Sequence, residues 1–149
     1  MHQDVLDFIT SQRVSVFAIE MPDGSPHAAT VHFAHKDEPL TFIFLTSKRY
    51  RKSESLLRKE VSRASLVTGF EEASGMEKTF QADGEARLLK LDDPLVRVYL
   101  AKFEEKQLKI DETDDIFFSF TPTWWRFTDY SGSEGKTVYN SDGTVVVNG

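Results

Sequence analysis

The residues best suited to chemistry lie between positions 46 and 63. Lys48, Arg49, Arg51, Lys52, Arg58, Lys59 and Arg63 place seven of the 18 Lys and Arg residues within sixteen positions, against Glu54 and Glu60 alone. The stretch Thr46-Ser47-Lys48-Arg49-Tyr50-Arg51-Lys52-Ser53 runs from a strand end, through hydroxyls and cations, into the start of a helix. That order suits a phosphate, because helix N–H groups and the helix dipole face an anion and Arg offers a two-pronged donor. The same charges also suit a solvated basic face on a surface helix. Composition alone leaves both readings open.

The other chemically capable side chains point less clearly to a site. His27, His32 and His35 look like a metal cluster until strand geometry is applied. His27 and His35 share a face but lie roughly 26 Å apart along a strand, and His32 takes the opposite face. Histidines on the surface or in the barrel packing are the better reading, and no metal is expected. Asp92-Asp93 and Asp114-Asp115 fit capping and solubility rather than an acid–base pair. The catalytic residues cannot be named from sequence.

Pro122-Thr123-Trp124-Trp125-Arg126-Phe127 is the second unusual stretch. Neighbours on a strand face opposite ways, so one Trp fills the core while the other faces out. An outward Trp serves an interface or a planar ligand. Burial of both, across a barrel wall and a dimer seam, is the alternative. A phosphate cradle together with a Trp-bearing strand suits a planar phosphorylated ligand. Flavin mononucleotide (FMN) fits both ends.

Much else is excluded. The sequence contains no GxSxG, HExxH, Gly-rich phosphate loop or dinucleotide GxGxxG. The 149 residues include no Cys, which rules out disulfides, thiolate metal sites and a Cys nucleophile. A net charge of −6 argues against a general nucleic-acid binder. No apolar run approaches the ~20 residues of a membrane helix. The start MHQDVLDFITSQ lacks the design of a signal peptide. The expectation is one soluble, cytoplasmic domain over residues 1–149.

The elements that must position these residues follow from periodicity. Val5, Leu6, Phe8 and Ile9 give a helix over 3–12, and alternation gives a strand over 13–21. Pro22-Asp23-Gly24-Ser25-Pro26 is a turn, followed by strands over 27–35 and 40–46, so that three strands form an antiparallel meander. A helix over 51–60, a strand over 63–70 and a loop over 71–75 come next. Residues 78–91 read as a bent strand with Gly84 at a bulge. Asp92-Asp93-Pro94 starts a helix that buries Val96, Tyr99, Leu100 and Phe103. An aromatic strand over 115–130 and a hairpin around Ser141-Asp142-Gly143 complete the chain. About six main antiparallel strands with peripheral helices close into a small barrel.

The order of these features resembles the pyridoxamine 5′-phosphate oxidase-like family. The residues carrying the likeness are Arg13 to Ala18, the turn at 22–27, a strand ending in Thr46, the Arg51-Lys52 pair, and Lys78-Thr79-Phe80-Gln81-Ala82-Asp83-Gly84-Glu85-Ala86. The resemblance spans about residues 3 to 130 and implies a six-stranded antiparallel split β-barrel with peripheral helices. It implies a homodimer with one flavin at each end of the interface. Thr46, Arg51 and Lys52, with Ser47 nearby, would contact the phosphate. The strand Ala28-Ala29-Thr30-Val31 would run beside the flavin ring, with Thr79 also beside it. Trp124 or Trp125 would come from the partner subunit. True pyridoxamine phosphate oxidases carry an Arg at the place of Ala28 and an Arg-Leu-His-Asp-Arg-like motif near the C-terminus, and both are missing here. The likeness is therefore to the general-stress-type branch. The expected function is an FMN-dependent oxidoreductase acting on a small-molecule substrate or reductant. A non-catalytic flavin- or haem-binding module and a deazaflavin-dependent reductase are the alternatives.

Overall fold

A computed structural model of the chain describes residues 1–69, 77–111, 113–133 and 135–148. Helix α1 (Gln3–Ser11) buries Val5, Phe8 and Ile9 and leads into β1 (Val14–Glu20). The turn after β1 places Gly24 at φ 85, which a side chain rarely adopts, and opens β2 (Pro26–His32). β3 (Ala34–Lys36), β4 (Thr41–Ser47), α2 (Ser53–Arg58), β5 (Ser62–Thr68) and β6 (Lys78–Leu89) follow. α3 (Pro94–Lys102) starts where expected, its Asp93 side chain accepting the Leu95 N–H at 2.9 Å. A 3-10 turn (Glu104–Lys109), β7 (Asp115–Asp129), β8 (Lys136–Asn140) and β9 (Val145–Asn148) complete it. The loop expected over 71–75 and Phe70, the expected end of the strand over 63–70, lie outside the described residues. No helix of the described residues is long and apolar enough to cross a membrane.

The fold is mainly β, an antiparallel split barrel. The strands pair in the order β2-β1-β5-β6-β7-β4-β3, with β8 on β7 and β9 on β8. β2 and β3 lie at opposite ends of that order, yet only Phe33 separates them in the chain. Phe33 donates its N–H to the Arg13 carbonyl at 3.0 Å, and the chain then crosses to β4 and closes the barrel. The strand expected over 27–35 is thus two strands. The expected meander is divided between them, with β2 pairing with β1, and β3 with β4. Six long strands match the expected number, and β3, β8 and β9 are short additions.

Phenylalanine fills the interior. Phe17, Phe33, Phe42, Phe44, Phe80, Phe118, Phe120 and Phe127 are all at most 1% exposed. Each contributes about 1.5–3 kcal/mol by burial. β4 is buried on both faces, because Phe42 and Phe44 point into the barrel while Ile43 packs beneath Val96, Tyr99 and Phe103 of the α3 region. Gly84 sits at the expected bulge, where a Cβ would meet the Thr121 carbonyl at 2.1 Å. The barrel is split along β7. β4 pairs with β7 as far as Phe42↔Phe120, and β8 joins it only at Arg126↔Asn140.

Candidate functional site

The basic segment folds back on the end of β4. The Ser47 carbonyl accepts from Tyr50 N at 3.2 Å and from Ser53 Oγ at 2.6 Å. Thr46 and Ser47 therefore sit beside Lys52 and Ser53. Ser55 Oγ donates to the Glu20 carbonyl at 2.7 Å and fixes α2 against the end of β1. Four of the seven cations are neutralised here: Arg49 by Asp114 (2.7 Å), Arg58 by Glu54 (3.3 Å), Lys59 by Glu20 (3.6 Å) and Arg63 by Glu20. Lys48, Arg51 and Lys52 have no carboxylate partner among the described residues. The segment is thus partly an ordinary surface network and partly something else.

Lys52 is only 5% exposed, and its Nζ lies 4.6 Å from the centre of the Tyr50 ring. Burial holds its pKa below the ordinary lysine value. Thr46 Oγ1 is buried too, on the inward face shared with Phe42 and Phe44, and has no hydrogen-bond partner among the described residues. Ser47 takes the other face, where its Oγ accepts from Arg49 N at 3.2 Å. Thr46 Oγ1, a buried hydroxyl without a partner, loses hydration and regains little, while the Lys52 side chain is buried along its stem and its ammonium keeps contact with solvent. An anionic group at this end of the barrel would satisfy both. α2 has only six residues and no side-chain cap at Lys52, so the cations, more than a helix dipole, would hold it. Arg51 is exposed and close enough to the β1–β2 turn to help two Ser25 hydrogen bonds lower the Asp23 pKa.

The remaining candidate residues spread over the outer face of the sheet. Ala28, Ala18, Ser65, Asp83 and Trp124 form one cross-strand row, and Thr30, Val16, Val67, Gln81 and Arg126 form the next. Ala29 and Val31 point the other way, into the barrel. Trp124 is 37% exposed, with the Arg126 guanidinium 5.6 Å from its ring centre. Trp125 faces inward and stacks on Phe80 at 5.9 Å, so the two indoles do face opposite ways. Ala28 and Trp124 are four strands apart, about 19 Å. Thr46 pairs with Ile116 and Thr79 with Thr128, a twelve-residue offset along β7 worth roughly 40 Å of extended strand. One chain therefore brings together Thr46, Ser47, Arg51 and Lys52, but keeps Thr79 and both Trp residues away from them.

A family model described as pyridoxamine 5′-phosphate oxidase matches residues 1–129. The chain belongs to the pyridoxamine 5′-phosphate oxidase family. No curated protein matches it in sequence. A solved relative in structure is the general stress protein 26-related protein of Clostridium acetobutylicum, 16% identical, with 94% of each chain covered and a TM-score of 0.66. HutZ, the haem storage protein of Vibrio cholerae, is 18% identical over 81% of this chain and 89% of its own, with a TM-score of 0.63. A haem-binding protein of Mycobacterium smegmatis is 15% identical over 89% of this chain and 55% of its own, with a TM-score of 0.64. At these identities the likeness establishes the fold.

Within this family barrel, sequence reasoning missed two features. Lys102 is half-buried between the Phe33 and Phe103 rings and donates from Nζ to the Gln12 carbonyl at 2.5 Å. Burial, aided by Arg13, lowers its pKa to about 8. Ser62 Oγ, at the start of β5, is a second buried hydroxyl without a partner among the described residues. Neither follows a motif, and both depend on contacts distant in sequence. The histidines do not converge. His32 meets the Phe103 ring edge-on and His35 Nε2 lies 2.8 Å from Asp37, and no group of three His, Asp or Glu among the described residues is placed to hold a metal.

Proposed function

We propose that this chain is an FMN-binding flavoprotein, a homodimeric oxidoreductase of a small-molecule substrate or reductant. The observation that carries the reading is the α2 end, where Thr46 Oγ1 is buried without a hydrogen-bond partner and the largely buried Lys52 has no carboxylate among the described residues. An FMN phosphate held there, with Arg51 at its exposed side, would restore both. The flavin ring would lie along the outward side of Ala28 and Thr30, where small side chains leave room. Bound FMN supplies the redox chemistry, while the protein orients it and controls access.

The dimer has its own support. The outer face around Val16, Ala18, Ala28, Thr30, Ser65 and Val67 is small, largely uncharged and partly exposed, with Val67 at 42%. Trp124 and Thr79 are too far from the α2 end to meet the same flavin within one chain. A second copy laid on this face can bring them there. Sedimentation of the purified protein should give about twice 17.0 kDa. A stable monomer that retains flavin would remove the dimer from the account.

Two of the structural relatives are haem proteins by name, which favours testing a haem-binding reading alongside. The absorption spectrum of the purified protein separates them. Flavin bands, bleached by NAD(P)H, support the oxidoreductase. Flavin bands that NAD(P)H leaves unchanged support a carrier, and a Soret band without flavin uptake overturns the FMN reading.

A further inference from the structure

The split in the barrel holds a cavity of about 510 Å³, in the size range of small-molecule sites. It lies where β7 has left β4 and has not yet met β8, so Thr121, Pro122 and Trp125 form its floor. The 37–40 turn makes one wall, and the β8–β9 hairpin makes the other. That hairpin lies beyond the residues matched by the family model, so this wall is no part of the matched barrel. Pro122 has no N–H to offer a neighbouring strand, and Ser141 N already satisfies the Trp125 carbonyl at 3.0 Å. The gap can therefore stay open with no N–H to strand at Pro122 and with the Trp125 carbonyl satisfied.

Its aromatic walls are preformed. Trp125 is braced from behind by Phe80 at 5.9 Å. Tyr139 packs on Phe127 at 5.7 Å and donates its hydroxyl to Asp4 at 3.1 Å. Leu40 and Val145 add apolar surface. The lining contains two carboxylates, Asp37 and Glu38, and neither Lys nor Arg; Met1 with the N-terminal ammonium and His2, whose ring lies 4.7 Å from that of Tyr139, line another side. Glu38 makes no ion pair among the described residues, and Asp37 Oδ1 lies 2.8 Å from His35 Nε2, whose pKa burial holds below the ordinary value.

We propose that this split is a binding site for a small aromatic ammonium compound, its ring against Trp125 and Tyr139 and its charge at Asp37 and Glu38. Indole and phenol faces attract cations as well as apolar rings. The site shares no phosphate-holding residue with the flavin site, and the inference does not rest on that reading. It gives Trp125 a role separate from the outward Trp124.

A Trp124→Phe variant leaves Trp125 as the one indole, and its emission reports occupancy. The probes are 2-phenylethylammonium, neutral 2-phenylethanol and anionic 3-phenylpropionate, each also followed by ligand-observed NMR saturation transfer. The ammonium should bind saturably, about threefold to fivefold tighter than the alcohol, as one exposed charge contact allows, with the carboxylate weakest. Glu38→Gln with Asp37→Asn should bring the ammonium to the affinity of the alcohol and leave the alcohol unchanged. Both side chains are exposed, so the fold should tolerate these changes. No saturable binding of the ammonium by either readout overturns the site. Equal affinity for the three probes, or a preference that survives removal of both carboxylates, overturns the assigned chemistry.

Discussion

Two lysines of this barrel are withdrawn from solvent, and they are satisfied in opposite ways. Lys102 reaches the Gln12 carbonyl at 2.5 Å and lies over the Phe33 ring at 4.7 Å. Lys52 is only 5% exposed as a residue, touches the Tyr50 ring, and has neither a carboxylate nor a carbonyl among the described residues. A buried cation with an acceptor ties elements together, here α3 to the end of α1. A buried cation without one costs stability unless something else supplies the acceptor. The comparison assigns Lys102 to the fold and leaves Lys52 for the ligand we propose.

The largest effect should come from Lys102→Ala. It strands the Gln12 carbonyl and removes the side-chain stem from two aromatic rings. Chemical denaturation should show a loss of about 2–3 kcal/mol. A fall below about 0.5 kcal/mol would erase the contrast with Lys52.

The second effect is on pH dependence. The Lys102 pKa is about 8 in the folded chain against an ordinary 10.5, so the unfolded chain binds this proton more tightly between those values. Stability should therefore rise with pH from about 8 to 10.5, by on the order of 2 kcal/mol after allowing for partial exposure. The rise should be missing in Lys102→Met. An equal slope in both proteins would show that other groups carry it.

Lys52→Met should behave differently. With no acceptor to strand and an unpaired, partly desolvated charge removed, the protein without flavin should match or exceed wild-type stability, by up to about 1 kcal/mol. A loss above 1 kcal/mol would mean that Lys52 is structural after all. The smallest effect belongs to Lys59→Ala, which removes one member of an exposed pair with Glu20, and should change stability by less than about 0.5 kcal/mol.

Sequence patterns carried the local part of this structure well. Gly84 marks the bulge because only a residue without Cβ fits against the Thr121 carbonyl, and Pro94 marks the start of α3. Alternation correctly sent Trp124 and Trp125 to opposite faces. What escaped is non-local. The break at Phe33 follows from barrel closure, since β2 pairs with β1 while β3 pairs with β4, and no residue near Phe33 signals a turn. Within the basic segment the sequence put seven similar charges side by side. Only folding shows that Asp114, Glu54 and Glu20 quench four of them and that Lys52 alone among the seven is buried. The cavity in the split joins residues near 38, 122 and 140, which no sequence window contains together.

The proposed flavin site is tested most directly by the affinities of FMN and riboflavin, measured by quenching of flavin fluorescence on wild type, Lys52→Met and Lys102→Met. Wild type should prefer FMN to riboflavin by at least about tenfold, the worth of one charge-assisted hydrogen bond. Lys52→Met should lose that preference and bind riboflavin as before. Lys102→Met, under conditions where it is folded, should keep the preference. If Lys52→Met binds FMN as tightly as wild type, the phosphate does not lie at this lysine and the central assignment is wrong.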